Sequence, residues 1–159
     1  MKILVAGIGN IFHGDDAFGV EVAQLLLQRT LPPDVRVTDF GIRGIDLAYA
    51  LLDGADVTIL VDATPQGGPP GSLYTIEIDP NSASDGHGAD LSPHGMTPLR
   101  VLQMAQALGG CKGRVLLVGC EPESLGPEEG RMGLSDTVAA AVEPAVRVVE
   151  DLILTLGAS

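Results

Sequence analysis

Five short aliphatic runs, Lys2–Ala6, Val35–Asp39, Val57–Asp62, Ser72–Ile78 and Arg114–Cys120, alternate with longer segments of helical period, and this alternation leaves few folds open. A strand buried on both faces reads as a nearly continuous apolar run, and helices between such strands cover a mostly parallel sheet on both sides. Ala17–Thr30 sets Val20, Val22, Ala23, Leu26 and Leu27 on one helical stripe before Pro32-Pro33 stops it. Ile45–Leu52 is a shorter helix closed by Gly54. Thr97-Pro98 reads as an N-cap followed by proline at the first helical position, opening a helix to Gly109-Gly110. Ser135 caps a last helix to about Leu156, with Pro144 as a kink inside it. The short glycine- and proline-rich link from Val57–Asp62 to Ser72–Ile78 predicts an antiparallel hairpin. The expected fold is therefore α/β: three α/β/α layers around a twisted sheet of about five strands, mostly parallel with one antiparallel. No repeat or linker divides the chain, so residues 1–159 read as one domain.

Composition narrows the partners. With 9 Lys+Arg against 21 Asp+Glu the formal net charge is −12. A phosphate surface, whether nucleic acid or anionic membrane, would be repelled over the roughly 10 Å reach of electrostatics at physiological salt. The apolar start Met1–Gly7 is too short for a signal-peptide core, and no run reaches the roughly 20 apolar residues of a membrane span, which predicts a cytoplasmic protein. Cys111 and Cys120 match neither a redox nor a zinc-knuckle spacing and read as free thiols, Cys120 in or beside a buried strand. Nothing in the surface pattern demands a dimer, and a monomer is expected.

Chemistry-bearing residues gather where strands should end. Gly7-Ile8-Gly9-Asn10-Ile11-Phe12-His13-Gly14-Asp15-Asp16 follows the first strand, and its glycines allow a tight turn that brings backbone amides near a ligand. A dinucleotide is disfavoured, because Phe12 replaces the third glycine of the fingerprint and two carboxylates stand where a pyrophosphate needs positive field. Asp15 and Asp16 also fit a plainer reading, as acids stabilised at a helix N-terminus. Asp62 closes an otherwise apolar strand, and a carboxylate desolvated there costs several kcal/mol unless something pairs with it. His94, in Ser92-Pro93-His94 just before the capped helix, ranks above His13 and His87 because Pro93 restrains its backbone and the helix anchors it. All three loops should open at one edge of the sheet. Two carboxylates and an imidazole then make a site for a borderline divalent metal with open positions.

Taken in order, Gly7-x-Gly9-Asn10, Asp15-Asp16-x-x-Gly19, the strand-ending Asp62, Ser92-Pro93-His94, Val118-Gly119-x-x-Pro122-Glu123 and Gly133-Leu134-Ser135 resemble the hydrogenase maturation proteases, across nearly the whole chain. These endopeptidases trim the C-terminal extension from the large subunit of nickel-iron hydrogenases. The resemblance implies a phosphorylase/hydrolase-like α/β/α fold and three residues, Asp16, Asp62 and His94, that contact metal and carry catalysis. Asp stands at position 16 where relatives often have Glu, a carboxylate with about 1.3 to 1.5 Å more reach, which leaves Asp15 as an alternative ligand. It further implies that Asp39-Phe40-Gly41-Ile42-Arg43-Gly44 helps recognise substrate through a glycine hairpin open to a peptide backbone, with Asp39 and Gly41 joined by Gly9 and Asn10. The implied partner is a nickel-iron hydrogenase large-subunit precursor whose nickel, brought by the substrate, completes the site; other divalent metals can occupy it. Metal-assisted hydrolysis and a carboxylate pair acting alone both remain open. A nickel-sensing chaperone without proteolytic activity, a peptidyl-tRNA hydrolase-like esterase and a nucleotide-binding module are the competing functions.

Overall fold

The computed structural model describes residues 1–81, 97–126 and 130–157. Its strands are β1 (Ile3–Ile8), β2 (Val35–Gly41), β3 (Val57–Ala63), β4 (Leu73–Ile78) and β5 (Arg114–Cys120). They form one sheet of order β2-β1-β3-β5-β4. β1, β2, β3 and β5 are parallel, and β4 runs antiparallel along β5. Helices α1 (Phe18–Leu26) and α4 (Asp136–Gly157) cover one face, α2 (Gly44–Leu52) and α3 (Pro98–Leu108) the other. The period of two along β1 divides the core: Ile3 and Val5 join Phe18, Val22 and Val146, whereas Leu4, Ala6 and Ile8 join Leu47, Leu102 and Ala105.

The antiparallel strand is present, but not as the hairpin expected from the short link. β5 lies between β3 and β4, so segment 64–72 steps over the end of β5. That crossing spans two strand spacings, roughly 10 Å, within reach of so short a segment. Backbone bonds fasten it there: Thr64 N–H donates to the Cys120 carbonyl, Gly71 N–H to the Glu121 carbonyl and Glu121 N–H to the Ser72 carbonyl, each at 2.8 Å.

Both predicted caps are formed. The Thr97 hydroxyl accepts from Arg100 N–H at 3.2 Å, and Ser135 Oγ accepts from Val138 N–H at 3.4 Å at the start of a helix that carries Pro144 inside it. The first helix is shorter than its apolar stripe. It stops at Leu26, the chain leaves through turns at Gln28 and Arg29, and Leu27 is 52% exposed, not part of the buried stripe. Ahead of it, Gly14–Ala17 forms a separate 3₁₀ turn that the 3.6-residue period does not reveal.

Candidate functional site

The site is built from chain leaving the carboxyl ends of the parallel strands, the edge at which open α/β sheets bind ligands. The 3₁₀ turn lies close against this edge. At Gly19, just after it, an added Cβ would run into the carbonyls of Val61 on β3 and Ile8 on β1, so only glycine lets the turn sit this low. Asp16 is half-buried on the turn and accepts from Asn10 N–H at 3.1 Å. Asp62, on β3, is 4% exposed and accepts from the Ala63 N–H at 2.8 Å.

The two carboxylates feel each other. Burial, and after it the negative charge of Asp16, pushes the Asp62 carboxyl well above the usual carboxylate range, with the Ala63 amide only partly opposing this. A proton or a cation relieves the same strain, so the pair fits a divalent ion. His94 lies outside the described residues, as does His87. Among the described residues no third His, Cys, Asp or Glu joins the pair in a metal-sized cluster. The described chain breaks off after β4 and resumes at Thr97, the cap of α3, three residues beyond His94. Because β4 is antiparallel, it delivers the chain at Ile78 opposite Val115, at the amino end of β5.

Asp15, adjacent in sequence, has a different role. It is fully buried. Its Oδ2 accepts from Glu123 N–H (2.8 Å), Ser124 N–H (2.9 Å) and Ser135 Oγ–H (2.9 Å), and Oδ1 from Ser135 N–H (2.7 Å). Burial raises its pKa, but the Ser124, Ser135 and Glu123 amides and the Ser135 hydroxyl outweigh it and hold the carboxyl below its usual range. Its charge serves the N-terminus of α4, not its own turn, and both oxygens are already engaged, so the structure does not offer Asp15 as a substitute ligand.

Of the four residues expected to contact substrate, Gly9 and Asn10 lie against Asp16, and Gly41 and Asp39 lie beyond them at the end of β2. Gly9 N–H donates to the Gly41 carbonyl at 3.0 Å, and the Asn10 side-chain oxygen accepts from Phe12 N–H at 2.9 Å. Asp39 Oδ2 accepts from Gln24 Nε2 at 2.8 Å, and its carbonyl accepts from Arg43 Nη2 at 2.7 Å. The segment from Asp39 to Gly44 is not a hairpin. Gly41 ends β2 at φ 56°, and the chain turns directly into α2, whose packing against the sheet leaves no returning strand.

One buried acid escaped the sequence reading. Glu121 Oε1 accepts from Gln66 N–H (2.9 Å), Gly68 N–H (3.0 Å) and Tyr74 Oη–H (2.8 Å), which holds the crossing segment in place. The Gln66 amide leads in drawing its pKa below the usual range. The signal was available, because Glu121 ends an apolar strand as Asp62 does. Their environments separate them: hydrogen bonds favour Glu121 as an anion, whereas burial and Asp16 disfavour the Asp62 anion. Carboxylates pushed apart in this way mark the reactive one.

An open α/β sheet with two mutually repelling acids at its ligand-binding edge has the makings of a hydrolytic enzyme. Residues 20–152 match the family model described as HycI: Hydrogenase maturation protease. The Hydrogenase 2 maturation protease of Escherichia coli K12 is 34% identical over 151 residues, covering 94% of this chain and 88% of the relative. Hydrogenase expression/formation protein HupD of Rhodobacter capsulatus is 34% identical over 149 residues, covering 92% and 70%. The solved structure of the hydrogenase maturating endopeptidase HybD from E. coli superposes with a TM-score of 0.81 at 33% identity, covering 99% of this chain and 94% of that one. The chain belongs to the hydrogenase maturation protease family and is a maturation endopeptidase by that membership.

Proposed function

We propose that this chain removes the C-terminal extension of a nickel-iron hydrogenase large-subunit precursor after nickel insertion, working at Asp16, Asp62 and His94. The observation that carries the reading is the buried Asp62 carboxyl, its pKa pushed well above the usual carboxylate range by burial and by Asp16 across the strand ends. A cation arriving with the substrate relieves that repulsion, so binding is coupled to a nickel-loaded precursor. Asp16 and Asp62, with His94 as the third contact, would hold the ion, and nickel bound there would supply Lewis acidity toward the scissile carbonyl or a water.

The chain's own groups do the rest. Once the cation has displaced its proton, the Asp62 carboxylate takes a proton from the water as that water's oxygen bonds to the scissile carbonyl carbon, and returns it to the leaving amine as the C–N bond breaks. Asn10 N–H holds Asp16 Oδ2 so that the acid faces its partner. Gly9, Asn10, Asp39 and Gly41 bind the peptide beside the acids, and the absence of side chains at Gly9 and Gly41 leaves room for a backbone to lie close. The reading takes residues 1–159 as one domain, a monomer acting in the cytoplasm, with neither nucleic acid nor membrane as partner. The net charge of −12 supports leaving out nucleic acid and anionic membrane; no described helix is long and apolar enough to cross a membrane.

The test is the mass of a nickel-loaded precursor before and after incubation with the protein. Loss of the C-terminal extension is expected. An unchanged mass with a stable complex would instead make the chain a nickel-sensing chaperone.

A further inference from the structure

We propose that Asp15 is a positioning residue for the acid pair: its buried carboxylate pins the turn that carries Asp16 to the loop after β5 and to the start of α4, and so sets where Asp16 stands against Asp62. The inference rests on the reading of Asp16 and Asp62 as the working carboxylates. A four-residue 3₁₀ turn has poor internal hydrogen bonds and little persistence of its own, so whatever fixes Asp16 must come from outside the turn. At three residues per turn, successive side chains point roughly 120° apart. The sequence Asp15-Asp16 therefore divides into one acid aimed into the protein and one left toward the strand ends.

Two sets of contacts show how firmly the turn is held. The Asp15 carboxylate takes up the Glu123, Ser124 and Ser135 amides and the Ser135 hydroxyl. The backbone answers in the other direction: Asp15 N–H donates to the Ser124 carbonyl at 2.9 Å, Gly14 N–H to the Arg131 carbonyl at 2.8 Å, and Arg131 N–H to the Phe12 carbonyl at 2.7 Å. The fit is close enough that a Cβ on Gly14 would stand 2.9 Å from the Ser124 carbonyl oxygen. On the far side of the turn, the Asn10 amide on Asp16 Oδ2 reads out the resulting position of the working acid.

Asp15→Asn tests this, because the amide nitrogen that replaces one carboxylate oxygen cannot accept the bonds that oxygen takes and turns its own N–H groups toward the same donors. Against a nickel-loaded precursor, kcat is expected to fall about 10- to 100-fold, the range of an ångström-scale misplacement, with KM within about twofold of wild type. The Asn10 amide proton resonance is expected to move. Ser135→Ala, which removes one of the four bonds to the carboxylate together with the Val138 cap, lies between Asp15→Asn and wild type in both readouts and stands in should Asp15→Asn fail to fold. Val146→Ala, on the buried face of α4, lowers stability without touching the network and keeps both the wild-type kcat and the Asn10 resonance. Wild-type kcat with an unmoved Asn10 resonance in the Asp15 and Ser135 variants would overturn the proposal, and so would an equal loss of kcat in Val146→Ala. If wild type leaves the precursor uncut, the proteolytic reading fails, and the Asn10 resonance alone decides the positioning role.

Discussion

Replacing Asp62 with Asn should make the protein more stable at neutral pH while abolishing its activity. The native carboxyl is raised by burial and by Asp16, so the folded state binds its proton more tightly than the unfolded chain does. A group raised in this way costs stability as pH climbs from the unfolded value, about 3.9, to the native one. Each unit of displacement removes about 1.4 kcal/mol once the group is ionised, or about 3 to 5 °C in Tm for a domain of this size. The substituted side chain keeps an oxygen to accept the Ala63 N–H, now bonded at 2.8 Å, and turns an amide toward Asp16 in place of a second negative charge. Calorimetric melting of metal-free wild type and Asp62→Asn at several pH values tests this. The variant should melt higher at pH 7.5, and its advantage should vanish as pH falls below about 4. An Asp62→Asn protein that melts lower than wild type at pH 7.5, or an advantage independent of pH, would refute the assignment of a strained carboxyl.

Other positions give sharper contrasts. Asp15 has the opposite sign: its depressed native pKa supplies stability above the unfolded value that is lost as pH falls through the native one, so the deficit of Asp15→Asn in urea unfolding should shrink on acidification. Gly19→Ala forces a Cβ against the Val61 and Ile8 carbonyls, and its urea midpoint should show a loss of about 3 kcal/mol together with loss of processing, because α1 must lift and carry Asp16 away. Glu121→Ala frees the Gln66 and Gly68 amides and the Tyr74 hydroxyl, so limited proteolysis should cut within segment 64–72, whereas Glu121→Gln should resist better. The buried Cys120 thiol is pushed up to about 11 by burial and then by the charges of Asp15 and Glu121. A thiol reagent at pH 8 should therefore label Cys111 in the native protein and reach Cys120 only after denaturation.

The strands were legible because each is an aliphatic run between breakers, and the caps at Thr97 and Ser135 because their chemistry is local. What stayed hidden depends on contacts between distant segments. The short link after β3 favours a hairpin by chain economy, yet backbone bonds from Thr64, Gly71 and Glu121 fasten it across β5. Leu27 belongs to the helical stripe by spacing but falls beyond the helix end. Of the acid pair at positions 15 and 16, composition offers no means to tell which is consumed by the Glu123, Ser124 and Ser135 amides and which faces Asp62. Asp62 itself could be picked out, since a carboxylate closing an apolar strand must be either satisfied or strained. Glu121 met the same criterion and turned out to be the satisfied case.

The central claim, that carboxylates meeting at the strand ends carry out the cleavage, is tested most directly by mass spectrometry of a nickel-loaded large-subunit precursor incubated with wild type, Asp16→Ala, Asp62→Ala and His94→Ala. Wild type should release the C-terminal extension, and each folded variant should leave the precursor at full mass. Wild-type processing by Asp62→Ala would contradict the account.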